Sequence, residues 1–247
     1  MDVYVIGDTQ MKKGVRNSLV CVAWDIIETR PDQVVHLGDH FDMPSLSAYD
    51  KDKVSFHSRR YIEDINEGNQ ALYEFWSIIS FGRDMYPEWK CKFIMLKGNH
   101  EDRIRKAIEY GPSEFQGLLE LHQPDYIFWN EVYDFLKPYH LNGVCFVHYL
   151  ANEFSSKAIS TARIGLSRKH SSFVCGHKQV LDYAEEQTIN GRRIMGLIMG
   201  ACYFHDEEYK GHQNNNHFRG VVLLRNVLDG EWEMEVRNLK TLDRKYK

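Results

Sequence analysis

Five apolar stretches of this 247-residue chain each stop at a small polar cluster, and that pattern narrows the possible folds more than any other feature. In chain order the clusters read GDTQ (7–10), GDHFD (38–42), GNHEDR (98–103), VHY (147–149) and GHKQ (176–179). The runs before them, 3–7, QVVHL, CKFIML (91–96), GVCFVHY and SFVCGH, read as strands. Residues 15–29 place Val15, Leu19, Val22, Ile26 and Ile27 on one helical face, and residues 61–80 do the same with Ile65, Leu72, Phe75, Trp76 and Ile79. Strand–helix–strand–helix–strand implies parallel strands joined by right-handed crossovers. The C-terminal strand ends of a mostly parallel sheet share one edge, where such sheets bind ligands. Asp8, Asp39, Asn99, His148 and His177 are therefore expected to meet there, with glycines at 7, 38, 98 and 176 allowing sharp turns.

The second half changes character. Short alternating segments at 180–189, 192–199, 219–225 and 231–238 suggest antiparallel pairing, with NGRR and LDG as hairpin turns. Two loops, 40–60 and 202–219, are long and polar enough to suggest function. No repeat, low-complexity tract or linker divides the chain, so one domain over 1–247 is expected. A formal net charge of −4 argues against nucleic-acid binding by bulk charge, though a local cationic groove or a bound metal could hold phosphates. No apolar run approaches the ~18 residues that span a bilayer, and the first residues enter a strand directly, so no membrane partner or secretory signal is expected. Cys21, Cys91, Cys145, Cys175 and Cys202 are odd in number and lack C-x-x-C spacing, which fits buried thiols in a reducing cytoplasm.

Carboxylates, an amide and imidazoles converging on one edge form the donor inventory of a divalent transition-metal site. Two metals roughly 3.5–4 Å apart need a bridging carboxylate, and Asp39, central in the sheet, fits that place. The order GD-x-x, GD-x-x-D, GNHE, H, GH-x-x, each element after an expected strand, resembles the calcineurin-like metallophosphoesterase superfamily from residue 3 to at least 179. The wider string GDTQ…GDHFDMPSLS…GNHEDR…GH-x-Q resembles, more narrowly, bacteriophage phosphoesterases.

The resemblance implies a four-layer α/β/β/α sandwich of mixed sheets and hydrolysis of phosphate esters at a binuclear metal centre, by attack of a bridging hydroxide. It implies a first metal held by Asp8, Asp39 and positions 10 and 179, and a second held by Asp39, Asn99, His148 and His177. His100 would donate a hydrogen bond or proton to the leaving oxygen, and Asp42 would orient that imidazole. The family usually has His at both position 10 and position 179; here they are Gln10 and Gln179, both serving the same metal. An amide oxygen is a harder, neutral donor than imidazole, which shifts that site towards Mn²⁺ or Mg²⁺ and weakens it. The expected cofactors are thus two divalent ions, manganese first, with magnesium, iron(II) or zinc as alternatives. One tight and one labile metal, or a metal-poor relic, stay open.

Each residue also has a plainer reading. Asp8 could cap a following helix, His148 could be a satisfied core histidine, and Asp42 and Glu101 could be helix N-terminal or supporting residues, the reading preferred for Glu101. Arg103 could reach a phosphate or make a surface salt bridge. His36 is expected to point into the opposite layer and His40 to line the site. The polar, aromatic loop 202–220 suits stacking on a base or sugar, with His205, His217 and Arg219 as candidate substrate-binding residues, or else simply closes the sandwich. The leading expectation is a phosphodiesterase or nuclease acting on a nucleotide or nucleic acid, in the cytoplasm (the host's, if phage-encoded). The alternatives are a phosphomonoesterase of protein-phosphatase type, disfavoured because Met43 and Pro44 follow Asp42, and a non-catalytic scaffold with a degenerate first metal site. Protein partners are not legible.

Overall fold

The strands alternate strictly, and that alternation builds the layers. In the computed structural model, described over residues 1–51, 54–207 and 215–247, β1 (Val3–Ile6), β2 (Gln33–His36), β3 (Lys92–Leu96) and β4 (Glu131–Tyr133) run parallel. β10 (Gly220–Leu228) and β11 (Glu231–Asn238) join antiparallel beside β1, giving the order β11-β10-β1-β2-β3-β4. A second sheet, β5-β6-β7-β9-β8, is formed by β5 (Tyr139–Leu141), β6 (Val144–Val147), β7 (Ser172–Cys175), β8 (Leu181–Gln187) and β9 (Arg193–Met199). Its β6, β7 and β9 are parallel and its outer strands antiparallel.

Val3, Val5, Val35, Leu37, Ile94 and Leu96 point towards Val144, Phe146, Val174, Leu197 and Met199, so the two sheets bury a common core face to face. The opposite face of the first sheet, with Tyr4, Ile6, Val34, Phe93 and Met95, packs on α1 (Leu19–Thr29), α2 (Tyr61–Met85) and the C-terminal α6 (Leu239–Lys245). The outer face of the second sheet, with Phe173, Cys175, Ile194 and Ile198, packs on α5 (Ala162–Lys169). The result is a four-layer α/β/β/α sandwich of two mixed sheets.

Several expectations need correction. The five polar clusters do not end one sheet: three follow β1, β2 and β3, and two follow β6 and β7 of the second sheet, because the β5–β6 hairpin starts a new sheet after β4. The first helix begins at Leu19 rather than residue 15, with Asn17 Oδ1 accepting the Leu19 amide. The second runs on to Met85 rather than residue 80, since Gly82 lets it lie directly against Ile27 of α1. Asp8 caps no helix, as α1 starts well beyond it. α3 (Asp102–Tyr110), α4 (Ser113–Leu121), α5 and α6 were not anticipated. The loop 40–60 contains short 3-10 turns at Pro44–Leu46, Ala48–Asp50 and Val54–Ser58, while residues 52–53 of it and 208–214 of the loop 202–220 lie outside the described residues. Among the described residues no helix is long and apolar enough to cross a membrane.

Candidate metal centre and active site

The loops after β2 and β3 meet backbone to backbone. Gly38 has φ +103°, and a Cβ there would lie 2.6 Å from the Gly98 nitrogen, so only glycine fits. Glu101 fastens the contact. Its buried carboxylate accepts four backbone N–H groups, from Asp39 (3.0 Å), His40 (2.6 Å), Phe41 (2.9 Å) and Gly98 (2.7 Å). Burial and the nearby Asp39 charge push its pKa up, while these donors act the other way. Asp39, itself at φ +52°, accepts the His100 amide at 2.8 Å on Oδ1.

The second sheet brings its own strand ends to the same place. His148 Nδ1 donates to the Leu37 carbonyl at 2.8 Å, and the His177 amide donates to Asp8 Oδ1 at 3.0 Å. Donor atoms of Asp39, His148 and His177 lie within 4.8 Å of one another. With Nδ1 carrying its proton to Leu37, His148 Nε2 presents a lone pair, yet it faces Asp39 Oδ2 at 3.3 Å and Asn99 Oδ1 at 2.9 Å. Three acceptors without a hydrogen between them need a proton or a cation. The titration directions say the same: burial opposes charge on His148, but Asp39 outweighs it and lifts the imidazole to about 9. Burial and the Asp39 charge raise Asp8 to about 7, whereas Asp39, despite burial, is held far below the usual range by His100 and His148. His177, part-buried and beside His148, falls to about 4 and so offers a neutral ring.

A second set of donors is made of oxygen alone. Asp8 Oδ2, Gln10 Oε1 and Gln179 Oε1 are buried and accept no hydrogen bond; the residues are 0%, 2% and 9% exposed. Gln10 is held at φ +42° with its amide bonded to the Asp39 carbonyl at 2.9 Å. An unpaired buried acceptor costs about 1–3 kcal/mol, so three orphaned oxygens on loops that touch Asp39 and His177 mark a place for a cation. The residues present fit a divalent ion at the Asp39–His148–His177 cluster, with the orphaned oxygens on adjoining loops.

Beside this cage stands His100. Its Nδ1 is 2.8 Å from the Asp42 carbonyl and 2.9 Å from Asp42 Oδ1, and its Nε2 is 3.8 Å from Asp39 Oδ2. Burial opposes its charge, but Asp39 and Asp42 raise its pKa, and the His100 and Lys12 partners hold Asp42 far below the carboxylate range against its own burial. Arg103 donates to the Asp42 carbonyl (2.9 Å), the Met43 carbonyl (3.2 Å) and His100 Nε2 (3.0 Å). A guanidinium only donates, so that last contact requires an unprotonated Nε2, and protonating His100 must displace Arg103.

His40 is a correction. It is fully buried, with Nδ1 2.7 Å from Thr9 Oγ1 and Nε2 3.0 Å from the Gly68 carbonyl, so its ring faces α2 and not a substrate. His36 lies in the same layer, edge-on to Trp129. Of the loop 202–220, His205 stacks on Tyr203 with centroids 4.4 Å apart and bonds Glu207 Oε1 at 2.7 Å. His217 meets the edge of Tyr203, and Arg219 donates to the Phe204 carbonyl at 2.7 Å and lies over Tyr203, so both brace the loop's own turn. Sequence reasoning missed Lys12 and Glu207, which join at 2.9 Å next to Asp42 although 195 residues separate them; no spacing pattern signals such a pair. It also missed Tyr149 and Phe135, whose rings flank His177 and His148.

Residues 1–190 match the sequence profile of the family described as calcineurin-like phosphoesterase. No curated protein sequence matches the chain significantly. Among solved structures, Vps29 from Entamoeba histolytica, crystallised with zinc, aligns over 97% of this chain and 99% of its own at 10% identity, with a TM-score of 0.43. The E. coli phosphoesterase Yfce aligns over 96% of this chain and 100% of its own at 12% identity, with a TM-score of 0.37.

Proposed function

The chain belongs to the calcineurin-like phosphoesterase family, and from that membership we propose that it is a metal-dependent phosphodiesterase acting on a nucleotide or nucleic-acid substrate. The observation that carries this reading is the set of buried acceptors without donors, Asp8 Oδ2, Gln10 Oε1 and Gln179 Oε1, adjoining the Asp39–His148–His177 cluster and a carboxylate-held histidine. Divalent ions bound there would supply charge to the phosphoryl oxygens and lower the pKa of an attacking water. His100 delivers a proton to the leaving ester oxygen from Nε2, while Asp42 at Nδ1 keeps the ring oriented and favours its charged form. Arg103, displaced when Nε2 is protonated, is then free to donate to a phosphoryl oxygen. Among the described residues Arg103 is the arginine bonded to this pair, and buried Met43 follows Asp42. One guanidinium suits the single charge of a diester better than the double charge of a monoester.

With Mn²⁺, bis-p-nitrophenyl phosphate is expected to be hydrolysed at higher kcat/KM than p-nitrophenyl phosphate. A preference for the monoester by about tenfold or more, some 1.4 kcal/mol in transition-state binding, would overturn the diesterase assignment. Manganese bound without hydrolysis of either ester would favour the scaffold reading.

The amide oxygens of Gln10 and Gln179 favour Mn²⁺ or Mg²⁺ over zinc at the site they share with Asp8. The double substitution Gln10→His with Gln179→His is expected to raise zinc affinity at that site by about 10-fold or more, on the scale by which ligand changes move metal sites. Calorimetric titration with both metals reads this directly. Unchanged zinc binding would mean that neither glutamine is a ligand.

A further inference from the structure

Resting on the hydrolase reading above, we propose that Lys12 is a positioning residue that fixes Asp42, and through it His100, and that Glu207 and His205 tie the segment after β9 into the same restraint. Lys12 lies just past Gln10, on a strip of chain bonded directly to the loop of Asp42. The Met11 amide donates to the His40 carbonyl at 2.6 Å, and the Asp42 amide donates back to the Met11 carbonyl at 3.0 Å. This short parallel bridge, Met11 against Phe41, sets Lys12 level with Asp42. Its Nζ is 2.8 Å from Asp42 Oδ2 and 2.9 and 3.1 Å from the two oxygens of Glu207. The other Asp42 oxygen is the one that faces His100 Nδ1 at 2.9 Å, and Glu207 Oε1 also meets His205 Nε2 at 2.7 Å.

A carboxylate bonded through one oxygen can rotate about its terminal torsion, whose energy profile is broad. Bonded through both oxygens, Asp42 has its carboxylate plane fixed; the Asp42 carbonyl also accepts from His100 Nδ1 at 2.8 Å, so the carboxylate sets the final tilt and the charge of a ring that the main chain already anchors. Asp42 and Glu207 are buried, 7% and 5% exposed, and converge on the same ammonium. Without that ammonium they face each other with no intervening cation, and the Asp42 carboxylate, held only through Oδ1, is free to rotate. The donors of Lys12 are directed at these two carboxylates, so it acts through Asp42 rather than on a substrate phosphate.

The test uses two diesters that differ in their need for a proton. p-Nitrophenolate leaves from bis-p-nitrophenyl phosphate unaided, whereas the sugar alkoxide of a dinucleotide must be protonated. General acid catalysis contributes about 10²–10⁴-fold, so partial misplacement of His100 in Lys12→Met should lower kcat on the dinucleotide by about 10–100-fold. KM, manganese affinity and kcat on the nitrophenyl ester should stay close to wild type, and Lys12→Arg should restore most of the loss. Lys12→Gln replaces the methionine variant if that one is unstable. In an Asp42→Asn background Lys12→Met should cost nothing further. Equal losses on both esters, a raised KM with kcat intact, or losses that add to those of Asp42→Asn would overturn this role alone. A wild-type protein that hydrolyses neither ester overturns the hydrolase reading and this role with it.

Discussion

Asp39→Asn is expected to abolish manganese-induced stabilisation and turnover together. Asp39 links much of the cage: Oδ2 lies 3.3 Å from His148 Nε2 and 3.8 Å from His100 Nε2, its charge raises the pKa of Asp8, and its carbonyl accepts the Gln10 backbone amide. An asparagine keeps the shape but offers one neutral oxygen, and its NH₂ group points a donor where the proposed second cation would sit. In the wild type, manganese at a hundred times its Kd should stabilise the fold by about 2.7 kcal/mol, or roughly 5–10 °C in Tm for a chain of this length. Asp39→Asn should show no such shift, and His100→Ala should show it in full. Two equivalents of Mn²⁺ bound by Asp39→Asn with wild-type affinity would sink the shared-aspartate arrangement.

Much of this centre was legible in the sequence because local rules and global geometry agree there. An apolar run ending in Gly-Asp, Gly-Asn or Gly-His aims a polar side chain at a strand end, and strand ends of parallel sheets converge. The structure brings Asp8, Asp39, Asn99, His148 and His177 to one place by that logic, although two sheets rather than one supply them. What was not legible depends on where a side chain turns after an irregular backbone. Asp39 at φ +52° reverses the chain direction, so His40, which as its neighbour looked like a site residue, swings inward to Thr9 and Gly68. Arg219 and His217 sit in a polar loop, but local partners in that loop engage them. The Lys12–Glu207 pair is set by sheet topology over a separation no window can sense. Glu101 does stand at the N-terminus of α3, as its sequence position suggested, but it is also the clasp between two loops, a role visible only once four amides are seen to converge on it.

That clasp sets the largest expected stability effect. In Glu101→Gln one oxygen remains to accept two amides, while the new NH₂ group confronts the other two donors. If Oε2 is the atom replaced, the Asp39 and Gly98 amides are orphaned; if Oε1, those of His40 and Phe41. Two buried unpaired donors cost about 2–6 kcal/mol at 1–3 each. An opposing gain exists, because burial and the charge of Asp39 disfavour the Glu101 carboxylate, and an amide relieves both. The gain does not cancel the cost, since the donors are backbone groups that cannot rotate to new partners, whereas repulsion from Asp39 is already offset by His100 and His148. Urea unfolding of the metal-free protein should therefore show a loss of a few kcal/mol, within the roughly 2–6 above. The same amides fix the main chain of Asp39, so manganese affinity should fall by about 10–100-fold, as when supporting hydrogen bonds are removed from other metal sites. A Glu101→Gln protein with wild-type stability and wild-type manganese binding would show that the two loops hold their own shape, and that the glutamate merely fills the space between them.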